Sequence, residues 1–259
     1  MEAVVRPDNH CDDPHLSRLR VVLVEPSHPG NIGGVARAMK NMGLCRLALV
    51  NPPADWAGEQ ARVRATSALD VLQRAEVFDS LEAAIAPCSL VLGASARLRS
   101  SRWPQLPVDE AASLAFARAQ EGEHVALVFG REKSGLTNAE LDLCHALLHI
   151  PTNPACSSLN LAAAVQVVAW EVYQRWLGDE KPVSSTFEGA PRVSAEVMEG
   201  FYDHLFTLLE QVEFMDPKQN AHFRRRMRKL FHRAGLNQKE VDILRGIFRA
   251  CQRKLGVLD

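Results

Sequence analysis

The chain has 259 residues, 47% hydrophobic and 24% charged, enough for one large domain or a medium one with an appendage around a real core. Its formal net charge is −1, from 30 Lys and Arg against 31 Asp and Glu, a balance that hides local asymmetry. No apolar run approaches a membrane span, residues 1–20 lack the apolar core of a signal peptide, and six cysteines form no C-x-x-C pair; a cytoplasmic protein with free thiols is expected.

Residues 1–19 read as a flexible N-terminal tail. Strands are predicted at Val21–Val24, Leu47–Val50, Leu90–Ala94, Val125–Phe129 and Leu147–Ile150, with a weaker one near Val77. Most are continuous apolar runs, the pattern of strands buried on both faces of a parallel sheet. Helices are predicted at Val35–Met42, Leu81–Ala86, Glu110–Ala119 and Asn138–Cys144, the last opened by the capping-box spacing of Thr137 and Glu140. A longer helix follows, with Leu161, Val165, Val168, Val172 and Trp176 at helical spacing. The expected fold is an open, mostly parallel α/β domain over 20–177. A Pro-, Gly- and Ser-rich linker over 178–194 leads to an all-helical appendage over 195–259 with three apolar stripes. Those stripes run Phe201 to Val212, Phe223 to Phe231, and Val241 to Leu255.

The stretch "EPSHPGNIGGVARAMKNMG" (25–43) joins the first strand to the first helix. It is no dinucleotide fingerprint: its glycines are not spaced G-x-G-x-x-G, and Asn51-Pro-Pro53 stands where the second strand should end in an acid. Nor is it a Walker loop, since no Lys-Ser/Thr follows the glycines. Its polar groups are Glu25, Ser27, His28, Asn31 and Arg37. Three further loops leave apolar strands: Gly93-Ala-Ser-Ala-Arg97, the "VFGRE" turn (128–132) and the proline-bracketed run from Ile150 to Asn160. In open parallel sheets, ligands sit beyond the carboxyl ends of the strands, so these four loops are expected to share one site. Cys144, His145, His149 and Cys156 fit no usual zinc spacing, and no metal is expected.

Asn31-Ile-Gly-Gly-Val-Ala-Arg37 resembles the N-x-G-x-x-x-R motif of the SpoU branch of the SPOUT RNA methyltransferases. "VFGREKSGLTN" (128–138) resembles the second motif of that family and "SSLNLAAAVQ" (157–166) the third, in the same order and spacing over roughly residues 20–177. The fuller first motif with a helical extension is similar to the TrmJ type, which methylates the ribose 2′-hydroxyl of nucleotide 32 in the tRNA anticodon loop. The resemblance implies a trefoil knot at the carboxyl end of the sheet, a homodimer, and S-adenosylmethionine as cofactor. It carries the cofactor contacts onto Ala94, Ser95, Ala96, Gly130, Ile150, Ser157, Ser158 and Leu159, with the glycine-rich turn at 30–34 facing RNA.

Arg37 corresponds to the arginine that family proposals make the base. A guanidinium with a pKa above about 12 is a poor base, so Arg37 is read as orienting the ribose-phosphate and stabilising charge on the 2′-oxygen. Asn31, Asn160 and Ser158 are candidates for positioning hydrogen bonds. Glu132 is expected to support its loop and to face a partner arginine; alternatively it pairs only with Arg131 or Lys133, and Asn160 only caps its helix. In the appendage, "HFRRRMRKLFHR" (222–233) has no acid between Lys218 and Lys239, and Arg224, Arg225, Arg228 and Lys229 are candidates for tRNA phosphate contact rather than a solvated face. Three other functions compete: 2′-O-methylation of another tRNA position or of rRNA; a nucleotide- or NAD-dependent enzyme, disfavoured by the missing fingerprint; and a non-catalytic RNA-binding protein, disfavoured by the intact Asn31, Arg37, Ser158 and Asn160.

Overall fold

The computed structural model describes residues 10–96, 103–178, 192–215 and 221–257. Arg97, and residues 179–191 of the expected linker, lie outside them. The chain divides into two compact units, Met1–Ser185 and Thr186–Asp259.

The first unit contains the strands β1 (Leu19–Val24), β2 (Arg46–Val50), β3 (Glu76–Phe78), β4 (Leu90–Ala94), β5 (Gln105–Pro107), β6 (Val125–Phe129) and β7 (Ala146–His149). They form one seven-stranded sheet in the order β3-β2-β1-β6-β4-β7-β5, every pair parallel. All of β1 and all of β6 are buried, as continuous apolar runs in a sheet covered on both faces must be. Leu23 sits opposite Phe129, while Gly93 sits between Val128 and Leu147. Four central strands therefore end side by side, and the loops that leave them start from one edge.

The helices of this unit are α1 (Pro29–Asn41), α2 (Glu59–Ala65), α3 (Leu69–Gln73), α4 (Leu81–Ile85), α5 (Val108–Gln120), α6 (Asn138–Asp142) and α7 (Leu161–Leu177). α1 starts at Pro29, six residues before the predicted Val35, with proline where the missing N–H costs nothing. Gly30, Gly33 and Gly34 are thus helical rather than part of a ligand-facing turn. A Cβ at Gly33 would lie 2.0 Å from the Ala61 carbonyl oxygen on α2, and one at Gly34 would lie 3.1 Å from the Ala162 Cβ on α7. Gly33 and Gly34 let three helices approach one another, a packing role that the expected turn at 30–34 did not include.

The segment 10–19 also differs from the expected flexible tail. It forms two 3₁₀ turns, His10–Asp12 and Leu16–Arg18, and runs into β1 with Leu16 fully buried. The Asp13 carboxylate accepts from the backbone of His15 (2.9 Å) and Leu16 (3.0 Å) and from the Trp176 indole N–H (2.8 Å) at the end of α7. Burial pushes the Asp13 pKa up, but these hydrogen bonds outweigh it and hold it below its ordinary value. Cys11 and Cys45 are joined as a disulfide, against the expectation of free thiols throughout; Cys88, Cys144, Cys156 and Cys251 are free.

The second unit holds α8 (Ala195–Gln211), α9 (Ala221–Ala234) and α10 (Gln238–Lys254). Ser194 caps α8, and Asn237 with Glu240 forms a full capping box on α10. Phe201 is fully buried, edge-on to Phe231 at 4.8 Å and beside Phe248 at 5.6 Å, so the three stripes meet in one small core.

Candidate functional site

Beyond the carboxyl ends of β4, β6 and β7 lies a solvent-open cleft of about 260 Å³. Its lining includes every position expected to hold the cofactor: Ala94, Ser95, Ala96, Gly130, Ile150, Ser157, Ser158 and Leu159. Leu136, Leu141, Leu148 and Thr152, which motif reading did not single out, complete much of the wall. Two backbone features shape it. The Ser95 N–H continues the ladder to the Leu148 carbonyl (3.0 Å), and the Gly130–Leu136 loop folds back so tightly that a Cβ on Gly130 would lie 2.3 Å from the Gly135 carbonyl carbon. Only glycine fits there.

Glu132 also lines the cleft and draws the first motif to it. Its carboxylate accepts from the Ser27 N–H (3.0 Å), the Ser27 hydroxyl (2.9 Å) and the Asn31 amide (3.1 Å). The Asn31 carbonyl oxygen accepts from the Asn160 amide (3.0 Å), and the Asn160 oxygen caps α7 by accepting from the N–H groups of Ala162 and Ala163. The two readings of Asn160 are therefore both true: it caps α7 and it faces Asn31. Glu132 pairs with neither Arg131 nor Lys133 among the hydrogen bonds and ion pairs it makes. Burial pushes its pKa up, yet Asn31 and Ser27 more than compensate and hold it below the ordinary carboxylate range.

This chain has a direction. A carboxylate only accepts, so Asn31 must turn its NH₂ toward Glu132 and its oxygen toward Asn160. Asn160 then turns its own oxygen to the α7 N–H groups. Residues 101 to 129 positions apart thus fix one another's amide orientation. Arg37 is not part of that chain and does not line the cleft. It is exposed on α1, the ninth of its thirteen residues, rather than one turn into the helix.

Arg131 was absent from the expected site. Its Nε donates to Glu25 (2.8 Å), and its Nη1 and Nη2 donate to the two Glu140 oxygens, both at 3.0 Å. These partners raise its pKa, Glu25 first. Its sequence signal was its place in the second motif, beside Glu132, in the turn that leaves β6.

Among the described residues no group of three His, Cys, Asp or Glu side chains is placed to hold a metal. His145 instead accepts from the Val91 N–H (3.0 Å), and burial pushes the Cys144 thiol up to about 12.

In the second unit, Arg224 and Arg228, expected to face phosphate, are each paired with an acid and stacked over an aromatic ring of α8. Arg224 donates to Glu210 (2.6 Å) with its guanidinium carbon 4.5 Å above the Phe206 ring. Arg228 pairs with both Glu199 oxygens and lies 4.5 Å above the Tyr202 ring. Arg225 and Lys229 are half-buried and likewise engaged. Arg226 and Arg233, seven residues apart and so on one face, are exposed without a partner among the described residues.

Comparison with known proteins matches residues 18–170 to the SpoU rRNA methylase family and residues 196–258 to the C-terminal domain of the tRNA methyltransferase TrmJ. The chain is 46% identical, over 92% of its length and 95% of the relative's, to a tRNA (cytidine/uridine/adenosine-2′-O-)-methyltransferase TrmJ of Pseudomonas aeruginosa. It is 45% identical, over 92% and 98%, to a tRNA (cytidine/uridine-2′-O-)-methyltransferase TrmJ of Klebsiella pneumoniae. A crystal structure of TrmJ from Z. mobilis matches at a TM-score of 0.77 and 31% identity, covering 90% of this chain and 98% of that one. By its motifs, its parallel sheet and its helical second unit, the chain belongs to the SpoU methylase family, in its TrmJ branch.

Proposed function

We propose that this protein transfers a methyl group from S-adenosylmethionine to the ribose 2′-hydroxyl of tRNA, at nucleotide 32 of the anticodon loop. The observation that carries the reading is the cleft at the strand ends with the Glu132–Asn31–Asn160 chain at its side. The names of the relatives support tRNA 2′-O-methylation.

The cleft fits the cofactor chemically. Leu148, Ile150 and Leu159 supply an apolar wall for a flat purine, while Ser95, Thr152, Ser157 and Ser158 offer polar groups for a ribose and an amino-acid moiety. The Arg131 cation is neutralised by Glu25 and Glu140, so it does not repel a positively charged sulfonium. When bound, the cofactor supplies an electrophilic methyl group. The residues of this chain do the rest: Asn31 and Asn160, their amides oriented by Glu132, position the ribose, and Ser158 hydrogen-bonds beside it. Arg37 orients the phosphate and stabilises negative charge developing on the 2′-oxygen.

Because Arg37 does not line the cleft of its own chain, the reading includes a homodimer in which a second copy presents Arg37. The strand order β6-β4-β7, with β4 between two strands that follow it in the chain, supports the family's trefoil knot. In the helical unit, phosphate contact is assigned to the outward face of α9, Arg226 and Arg233, and the protein is taken to act in the cytoplasm.

The test is methyl transfer from labelled S-adenosylmethionine to unmodified tRNA, with the modified nucleotide mapped. A 2′-O-methyl group at nucleotide 32 is the expected result. Absence of transfer, with S-adenosylhomocysteine failing to bind in calorimetry where NAD does, would overturn the reading.

A further inference from the structure

We propose that Arg131 is a positioning residue for methyl transfer: paired with Glu25 and Glu140, it holds the connection between β1 and α1 in place, and with it the geometry of Asn31 and Asn160 around Glu132. The inference rests on the methyltransferase reading above.

Arg131 and Glu132 are neighbours in the chain with separate sets of partners. Arg131 reaches Glu25 and Glu140, whereas Glu132 reaches Ser27 and Asn31. The stretch 25–31 is therefore gripped at two points by consecutive residues of one loop. The grip at Glu25 is bidentate, with Nη2 at 2.7 Å from Oε1 and Nε at 2.8 Å from Oε2. A planar guanidinium can do this while its other edge serves Glu140; an ammonium cannot.

Glu25 itself shows why a grip is needed. It has φ +45°, the left-handed region, which costs a non-glycine residue about 1 kcal/mol or more. Its N–H is held by the Val50 carbonyl (2.8 Å), and its side chain is held by Arg131. Released, Glu25 can relax, and Ser27 and Asn31 follow within six residues. Glu140 extends the same clamp, because its carboxylate also accepts from the Thr137 N–H (2.7 Å) and so fixes the start of α6 behind the cleft loop.

The exposure of Glu25 separates this role from a purely structural one. The Glu25 side chain is 47% exposed, and Arg131, 22% exposed, keeps Glu140 as a counter-ion, so Glu25→Gln leaves no unpaired buried charge and changes stability little. A displacement of about 1 Å at the reacting groups, in contrast, can cost about a hundredfold in rate.

The experiment uses full-length protein, unmodified tRNA transcript and labelled S-adenosylmethionine, with melting temperature and S-adenosylhomocysteine affinity measured alongside. Glu25→Gln should lower kcat about tenfold or more while affinity for S-adenosylhomocysteine stays within about twofold and the melting temperature hardly moves. Arg131→Met should lose more, and Arg131→Lys should recover part of that loss. In a Glu132→Gln background, adding Glu25→Gln should cost almost nothing further, as for groups acting through one another. Wild-type kcat in Glu25→Gln, a loss that multiplies with that of Glu132→Gln, or a loss that follows the melting temperature would each overturn the role. If Arg131→Met does not fold, Glu25→Gln and the double variant still decide. Absence of transfer by the wild-type protein would instead overturn the methyltransferase reading itself.

Discussion

Arg37 and Glu132 sit at opposite extremes of constraint. Arg37 is exposed on α1, free to meet a ligand, while Glu132 is tied by three hydrogen bonds to a stretch a hundred residues away. Arg37→Ala should leave S-adenosylhomocysteine affinity nearly intact and lower single-turnover methyl transfer by about two to three orders of magnitude, the cost of removing one group that meets charge in the transition state. Wild-type turnover under saturating substrates would remove Arg37 from the mechanism. For Glu132 the prediction concerns pH. Its folded-state pKa lies below its ordinary value of 4.5, so its hydrogen bonds stabilise the fold above that value and the contribution disappears as pH falls through the lowered pKa. The stability difference between wild type and Glu132→Gln, from denaturant unfolding, should be flat at neutral pH and shrink below about pH 4.5. A difference independent of pH would mean that the carboxylate gains nothing from Asn31 and Ser27. Neither partner of Glu132 was legible in the sequence, because a hydrogen bond across 101 residues leaves no periodicity. Its presence at the site was legible, since it stands in the loop after β6.

Elements differ in how plainly they could be read. The strands with long apolar runs were found within two residues, because burial on both faces leaves an unbroken signal. β5 is three residues, Gln105–Pro107, at the sheet edge and carries no such signal; α2 and α3 are too short for helical periodicity. The start of α1 was missed for a different reason. Glycines before a helix suggest a turn, yet Gly33 and Gly34 serve close helix packing, which only the position of α2 and α7 reveals. On α9 the inward stripe of Phe223, Met227 and Phe231 was legible, but the acids that claim Arg224 and Arg228 are on α8, 14 and 29 residues away. The helix should therefore separate into two behaviours. Arg226→Ala with Arg233→Ala should leave the melting temperature unchanged and flatten the slope of log tRNA affinity against log salt by up to about two units. Arg224→Ala with Arg228→Ala should lower the melting temperature by several degrees, since two ion pairs and two cation–π contacts, worth roughly 1–3 kcal/mol together, are lost from a small core. Thermal melts and filter binding over a salt series distinguish the pairs. Equal slopes for wild type and the Arg226/Arg233 variant would make that face merely solvated.

At the scale of the whole molecule, chemistry and charge are divided between the two units. The cleft, the Glu132–Asn31–Asn160 chain and Arg37 all belong to Met1–Ser185, whereas the acid-free helix α9 belongs to Thr186–Asp259. The net charge of −1 makes this division consequential: long-range attraction to RNA cannot come from the chain as a whole, so it must come from where cations are concentrated. A truncation ending at Leu177, the last residue of α7, keeps the cleft and the Asp13–Trp176 tie that anchors the segment before β1. It should still bind S-adenosylhomocysteine with wild-type affinity and, given the homodimer proposed above, sediment as a dimer. Its tRNA binding should be weaker at low salt, with a shallower salt dependence, because every phosphate contact made by the helical unit is gone and each one contributes somewhat less than one unit of slope. At saturating tRNA its methyl-transfer rate should approach that of the full chain, since removing distant phosphate contacts raises KM and leaves the groups around the 2′-hydroxyl untouched. A truncated protein with unchanged slope would assign substrate capture to the cleft unit alone. One that binds tRNA but has lost kcat would show that the helical unit takes part in orienting the nucleotide and does more than retain the RNA.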